Sequence, residues 1–465
     1  MQDIRTLGEL KASGYEVVPV REEMRRNLIA MLERGEPLLP GIIGFDDTVI
    51  PEIENAILAG HHMVFLGERG QAKSRIIRSL VRLLDPLVPA VAGCPIHDNP
   101  FAPICKSCRL QAVQMGDALP IAWIPREQRY GEKLATPDVS IADLIGDIDP
   151  VKVAEGRYLA DEDTIHFGIV PRTNRGIFAI NELPDLAEKV QVGLFNLMEE
   201  KDIQIKGYKI RLPLDIVIVA SANPEDYTNR GRMITPLKDR FDVQIRTHYP
   251  RRLEDEIAIM EQEALRPRSA SRPLLVPQFM KEIVAQLTFE ARASNEINQT
   301  SGVSVRTTIN NYESLISNAE KRAIRNGEPE IVPRISDLHA MLASTAGKLE
   351  IEYLGDDKSP VDLFDRLLDR ALLKVFDRWC KLEDLRPILT YFESGGGVEV
   401  SDVMPAEEYL EGVRAIPGLE HAVRAFGSIE SPAFIASVTE FLFEGLHLHQ
   451  KLNKERQGGR LTYHQ

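Results

Sequence analysis

The stretch Met63-Val64-Phe65-Leu66-Gly67-Glu68-Arg69-Gly70-Gln71-Ala72-Lys73-Ser74 decides how the rest of the chain is read. Four apolar residues run into a glycine-bearing turn, then a lysine and a serine. Ile76, Ile77, Leu80, Leu83 and Leu84 follow at helical spacing. Strand, turn and helix in that order make a phosphate-binding loop. Its amides, with Gly67, Gly70, Gln71 and Ala72 as cofactor-binding candidates, and the helix N-terminus face anionic phosphates. Lys73 would reach the β and γ phosphates of ATP, and Ser74 would bind Mg²⁺. The strict pattern has glycine where this chain has Ala72. At the start of a helix, Ala72 is expected to take helical dihedrals at little cost; a left-handed backbone would penalise it.

Further strands are expected at Met63–Leu66, Ile121–Ile124, Gly176–Ile180 and Ile216–Ser221, separated by helical stretches. That alternation implies a parallel sheet covered on both faces. The third of these runs ends in Asn181-Glu182, where a nucleotide hydrolase carries its Mg²⁺-orienting acid and its water-activating acid. Glu182 suits the water role. Asn181 stands at the Mg²⁺ position with an amide, which can accept a hydrogen bond from metal-bound water but brings no charge. The fourth run ends in Asn223-Pro224; Asn223 could hold the attacking water or touch the γ-phosphate, and an Asn-Pro turn is also an ordinary strand terminator. Arg240, in Leu237-Lys238-Asp239-Arg240-Phe241, lies where a ring-forming ATPase presents an arginine to its neighbour's nucleotide. Its alternative is a surface ion pair with Asp239 or Asp242, worth little.

These motifs together resemble the AAA+ ATPase subunit of magnesium chelatase and its MoxR-type relatives. The likeness is carried by Asp143-Leu144-Ile145-Gly146-Asp147-Ile148-Asp149 with Gly156-Arg157, and by Phe167-Gly168-Ile169-Val170 leading to Asn174-Arg175-Gly176. Asn223-Pro224-Glu225-Asp226 and Leu237 to Phe241 complete it, over about residues 38–345. The resemblance implies a β-hairpin before the sensor strand, with Ile203 to Ile205 and Lys209 to Arg211 around a turn. Such hairpins line the pore of the ring, so Lys206, Tyr208 and Lys209 are either partner contacts or a solvated tip. It also implies a second sensor arginine at the start of a lid helix, here Arg306 in Ser304-Val305-Arg306. Ala72 and Asn181 depart from the family pattern.

Cys94-Pro95-Ile96-His97 followed by Cys105-Lys106-Ser107-Cys108 has the spacing of a structural Zn²⁺ site, with Cys94, His97, Cys105 and Cys108 as ligands. The segment is poor in apolar residues, so a metal would staple it; free thiols on a surface loop are the alternative.

Composition limits the partners. The 465 residues carry a net charge of −14, which argues against broad nucleic-acid binding. No apolar run is long enough for a membrane span, and four cysteines do not make a disulfide framework, which points to a cytoplasmic location. The expected organisation is a helical lead-in over 1–39, an AAA+ α/β nucleotide-binding domain over 40–250 with a zinc-knuckle insertion at 94–108, an all-α lid over 251–350 and an α-helical extension over 351–465. The expected function is a ring-forming ATPase, hexameric or similar, that remodels a partner protein, one with a von Willebrand A domain being a candidate. A slow or inactive ATP-binding scaffold and an AAA+ transcriptional activator are the alternatives.

Overall fold

A computed structural model describes residues 3–155, 164–200, 202–205, 208–223, 232–265, 272–298, 302–349, 359–401, 403–427, 431–457 and 460–465. The chain forms two compact units, Met1–His248 and Tyr249–Gln465.

The first unit opens with helices α1 (Leu7–Ala12), α2 (Val20–Glu33) and α3 (Val49–Leu58). Strand β1 (Met63–Leu66) leads through the glycine turn into α4 (Lys73–Ser79). Next come β2 (Leu87–Val91), α5 (Lys106–Met115), β3 (Ile121–Pro125) and β4 (Tyr130–Leu134). The chain then forms α6 (Ile141–Leu144), β5 (Gly146–Ile148), α7 (Pro150–Ala154), β6 (Ile165–Phe167) and α8 (Ile169–Arg172). Then follow β7 (Gly176–Asn181), α9 (Glu188–Glu200), the β8 (Asp202–Ile205) and β9 (Tyr208–Arg211) pair, β10 (Ile216–Ala222), α10 (Thr235–Arg240) and β11 (Val243–Arg246).

Five strands make one sheet in the order β11-β1-β10-β7-β4, every neighbouring pair parallel. That order is the one of an AAA+ P-loop domain. The three central strands are buried at every residue. Alternate residues enter different cores: Ile177, Ala179, Val217 and Val219 pack in one cluster, Phe178, Ile180, Ile218 and Ala220 in the other. A strand buried on both faces must read as a continuous apolar run, and these three do. The expected strand at Ile121–Ile124 exists but belongs elsewhere: it pairs antiparallel with β2 as a separate ribbon. The fourth and fifth parallel strands are β4 and β11, which are short, partly exposed and polar, as sheet edges tend to be.

Residues 3–39 are built into this unit. The Arg129 guanidinium donates to both carboxylate oxygens of Glu23 on α2, at 2.8 and 2.6 Å, and both side chains are buried. The Val20 amide donates to Asp215 at 2.8 Å.

The second unit contains α11 (Leu253–Glu263), α12 (Gln278–Ala293), α13 (Val305–Asn326), α14 (Leu342–Thr345) and α15 (Pro360–Trp379). It continues through α16 (Arg386–Glu393), β12 (Val398–Ser401), α17 (Ala406–Val413), α18 (Leu419–Arg424), α19 (Pro432–Leu448), β13 (Asn453–Gln457) and β14 (Arg460–His464). One apolar cluster runs from Ile257 to Tyr463. Phe279 of α12 stacks on Phe441 of α19 at 4.4 Å between ring centroids. This largely helical unit also holds a three-stranded antiparallel sheet, β12-β14-β13, which the sequence reading lacks. Its strands are short and rich in charge, so they carry no apolar run.

Candidate functional site

The glycine turn sits at the C-terminal end of β1, where ligands bind in open parallel sheets. Gly67 is required there, because a Cβ would overlap the Thr247 hydroxyl and the Gln71 amide oxygen. Gln71 braces the turn: its Oε1 accepts from the Glu68 amide at 3.1 Å and from the Thr247 hydroxyl at 2.8 Å. Gly70 has φ of +79°. Lys73 is buried, and its ammonium donates to the Gly67 carbonyl, to the Glu68 carbonyl at 2.9 Å and to Asn223 Oδ1 at 2.6 Å. A cavity of about 300 Å³ lies alongside, with Gly67, Glu68, Gln71, Lys238 and Thr247 in its wall.

Ala72 overturns its expectation. It adopts φ +57° and ψ +11°, the left-handed region, rather than helical dihedrals. The turn itself demands this geometry, which is why the strict pattern has glycine. Alanine there costs about 1–2 kcal/mol.

The metal side of the site is formed by Ser74, Asn181 and Glu182. Ser74 Oγ lies 3.4 Å from Asn181 Oδ1, and Ser221 Oγ donates to the same oxygen at 3.3 Å. The amide nitrogen of Asn181 donates to Glu132 Oε1 at 2.5 Å. Glu182 follows at φ +56°, strained for a non-glycine residue, and its amide donates to Ser221 Oγ at 3.2 Å. A hydroxyl and an amide oxygen are hard oxygen donors of the kind Mg²⁺ takes, with water filling the rest, so Ser74 and Asn181 fit the ion, and the Glu182 carboxylate next in the chain suits a water. Glu132, on β4, escapes sequence reading altogether. Its pKa is lowered, first by the Arg78 hydrogen bonds and then by Tyr130 and Asn181.

Arg240 ends α10. It pairs with Glu199 of α9, lies 3.6 Å from Asp239 and stacks over the Phe195 ring at 5.6 Å. Asp242 is engaged elsewhere, accepting from the His62 amide at 2.7 Å. Arg306 is the second residue of α13, in the other unit, and is exposed. β8 and β9 form the expected antiparallel hairpin, with Asp202 opposite Arg211 and Ile205 opposite Tyr208. Lys206 lies outside the described residues, as do Gly156, Arg157 and Pro224 to Asp226.

The cysteine loop packs on the same unit. The donor atoms of Cys94, Asp98, Cys105 and Cys108 lie within 4.8 Å of one another. The side chain that the structure gathers with the three thiols is thus Asp98, while His97 stands outside the group. Asp98 is fully buried and held in place by the Ile104 amide at 3.0 Å and the Cys105 amide at 3.0 Å. His97 takes a left-handed backbone (φ +52°), and its Nδ1 is buried without a hydrogen-bond partner. Hydrogen bonds from Cys105 and Cys108 hold the Cys94 thiol down at about 4, while the same contacts push Cys108 up. Burial raises Asp98 to about 7. Three thiols and a carboxylate whose donor atoms lie this close together fit a divalent ion such as Zn²⁺. Asn174 ties the loop to the foot of β7 by donating to the Ile96 carbonyl at 3.1 Å.

No protein-family model matches the chain. The magnesium-chelatase 38 kDa subunit of Cereibacter sphaeroides is 27% identical over 204 residues, covering 43% of this chain and 55% of that protein. The corresponding subunit of Acidiphilium rubrum is 26% identical over 258 residues, with 52% and 61% covered. The chloroplastic magnesium-chelatase subunit ChlI-2 of Arabidopsis thaliana is 27% identical over 240 residues, with 50% and 54% covered. The chain thus spans a little over half the length of these relatives. Among solved structures, a chain of the BchI–BchD complex of magnesium chelatase is 18% identical, with a TM-score of 0.35 over 70% of this chain and 98% of that one. The chain is similar in sequence to magnesium-chelatase subunits, and its sheet has the strand order of an AAA+ P-loop domain.

Proposed function

We propose that this chain is an ATPase of the AAA+ type that assembles into a ring and couples ATP hydrolysis to remodelling of a partner protein. The observation that carries the reading is the convergence on one sheet end of Lys73, Asn223, Ser74 and Asn181, with Glu182 next in the chain. Lys73 grips the phosphates, Ser74 and Asn181 hold the Mg²⁺ shell, Glu182 activates water and Asn223 positions it or the γ-phosphate. Bound Mg²⁺ supplies charge neutralisation on the phosphates. Arg240 acts on the neighbouring subunit's nucleotide, and Arg306 is the candidate second sensor. Likeness to magnesium-chelatase subunits supports a partner protein, with a von Willebrand A domain protein as the candidate. The cysteine loop would hold a structural Zn²⁺ through Cys94, Cys105 and Cys108, with Asp98 beside them. Four unpaired thiols support a cytoplasmic location, and among the described residues no helix is long and apolar enough to cross a membrane.

The test is Mg²⁺-dependent ATP turnover by the wild type and by Glu182→Gln, with sizing in a non-hydrolysable analogue. Turnover by the wild type alone and a shift to a ring support the motor. ATP binding without turnover, with or without a partner, favours the second reading, a nucleotide-binding scaffold, which the amide at Asn181 supports.

A further inference from the structure

The metal side of this pocket has an amide where a carboxylate is expected, yet a carboxylate stands directly behind it. Glu132 Oε1 accepts from Asn181 Nδ2 at 2.5 Å. A carboxylate has no hydrogen to donate when ionised, so the Asn181 atom facing it must be the amide nitrogen. The amide oxygen is then forced to the opposite side. There it meets the hydroxyls of Ser74 at 3.4 Å and Ser221 at 3.3 Å. Without Glu132 the amide could turn over and present two N–H donors to the metal, which repels them.

Glu132 is itself held by hydrogen bonds from two other side chains. Arg78, four residues after Ser74 and on the same helix, donates to both its oxygens at 2.8 Å. Tyr130 donates to Oε2 at 3.0 Å. The parallel register of β4 on β7 sets Leu134 opposite Asn181, which brings Glu132 alongside the end of β7. The helix that carries the metal-binding hydroxyl and the strand that carries the amide are therefore clamped through one carboxylate.

We infer that Glu132 is the positioning residue for Mg²⁺ in this chain: it fixes the Asn181 oxygen toward the ion. The inference rests on the ATPase reading above. It also explains how an amide persists at that position. An aspartate there would face Glu132 across the same short contact, and two carboxylates would repel.

The test is a titration of Mg²⁺ into protein with a fluorescent ATP analogue, with Mn²⁺ followed by electron paramagnetic resonance as a direct metal readout. Nucleotide affinity in EDTA controls for folding. Glu132→Leu is expected to raise the half-saturating metal concentration by about tenfold or more, the usual cost of losing a group that orients a metal ligand. Its metal-free nucleotide affinity should stay within about twofold of wild type. Glu132→Gln keeps an acceptor for the amide and loses the charge, so it should fall between the two. Asn181→Asp alone should gain nothing, whereas Asn181→Asp with Glu132→Gln should bind metal at least as tightly as wild type. Unchanged metal dependence in Glu132→Leu, or a gain from Asn181→Asp alone, overturns the assignment and leaves the ATPase reading standing. If the wild type binds the analogue neither with Mg²⁺ nor in EDTA, the ATPase reading itself falls.

Discussion

The Lys73 ammonium and the Asn223 side-chain oxygen lie 2.6 Å apart, joining positions 150 residues apart in sequence. The contact brings the end of β10 against the phosphate-binding turn, and Asn223 is buried there at 5% exposure. An arriving γ-phosphate would compete with Asn223 for the lysine and release the amide to a water or to the phosphate. Asn223→Ala is therefore expected to lower turnover by about a hundredfold, the cost of losing one transition-state hydrogen-bonding group. Nucleotide affinity should change little. Equal losses in affinity and turnover, read from single-turnover kinetics beside equilibrium binding, would refute the assigned role.

Ala72 holds a backbone conformation that glycine adopts freely. Replacing it with glycine relieves about 1–2 kcal/mol of strain and adds unfolded-state entropy of roughly 0.5–1 kcal/mol. Ala72→Gly should leave stability unchanged or raise it by about 1 kcal/mol, measured by urea denaturation. A clear loss of stability would mean that the turn is not strained.

Removal of the Glu23 carboxylate leaves the Arg129 guanidinium buried without its counter-charge. Glu23→Ala is expected to cost about 3–5 kcal/mol. Replacing both partners with apolar residues, as in Glu23→Leu with Arg129→Met, should cost far less, because no charge is then stranded. Thermal denaturation of the three proteins separates these outcomes; equal losses in the single and double variants would disprove the charge argument.

Protein purified without chelators should carry about one Zn²⁺ per chain by elemental analysis, the stoichiometry of a single tetrahedral site. Cys105→Ser and Asp98→Ala should lose it, and stripping the metal should lower the melting temperature of the first unit. His97→Ala should keep the metal, since the structure groups Asp98 with the thiols. Retention in Asp98→Ala together with loss in His97→Ala would return the fourth position to the histidine.

The parts of the fold that the sequence reveals are those with an apolar signature. β1, β7 and β10 are buried at every position and read directly as core strands. β4 and β11 lie at the sheet edges and carry polar and charged residues that are partly or fully exposed, so their sequence looks like loop. β3 reads as a strand, but which strand it pairs with depends on topology, and local pattern carries none. The same division holds in the nucleotide pocket and the cysteine loop. Lys73, Ser74, Glu182 and Asn223 follow from spacing along the chain. Glu132 and Asp98 do not, since each is chosen by what folds beside it: Asn181 in one case, two loop amides in the other. The backbone of Ala72 departs from expectation because residue type predicts what is comfortable, whereas the turn dictates what is required.

The sheet β12-β14-β13 has a consequence for synthesis. Val398 pairs with Tyr463, so β12 has no neighbour until the ribosome has made a strand some sixty residues later. At ordinary elongation rates that interval is on the order of several seconds. The first unit closes its own sheet within residues 63–246 and can be finished before this gap begins. During the wait the unpaired edge of β12 and the Phe-rich face that α19 will cover are the surfaces a nascent-chain chaperone would meet.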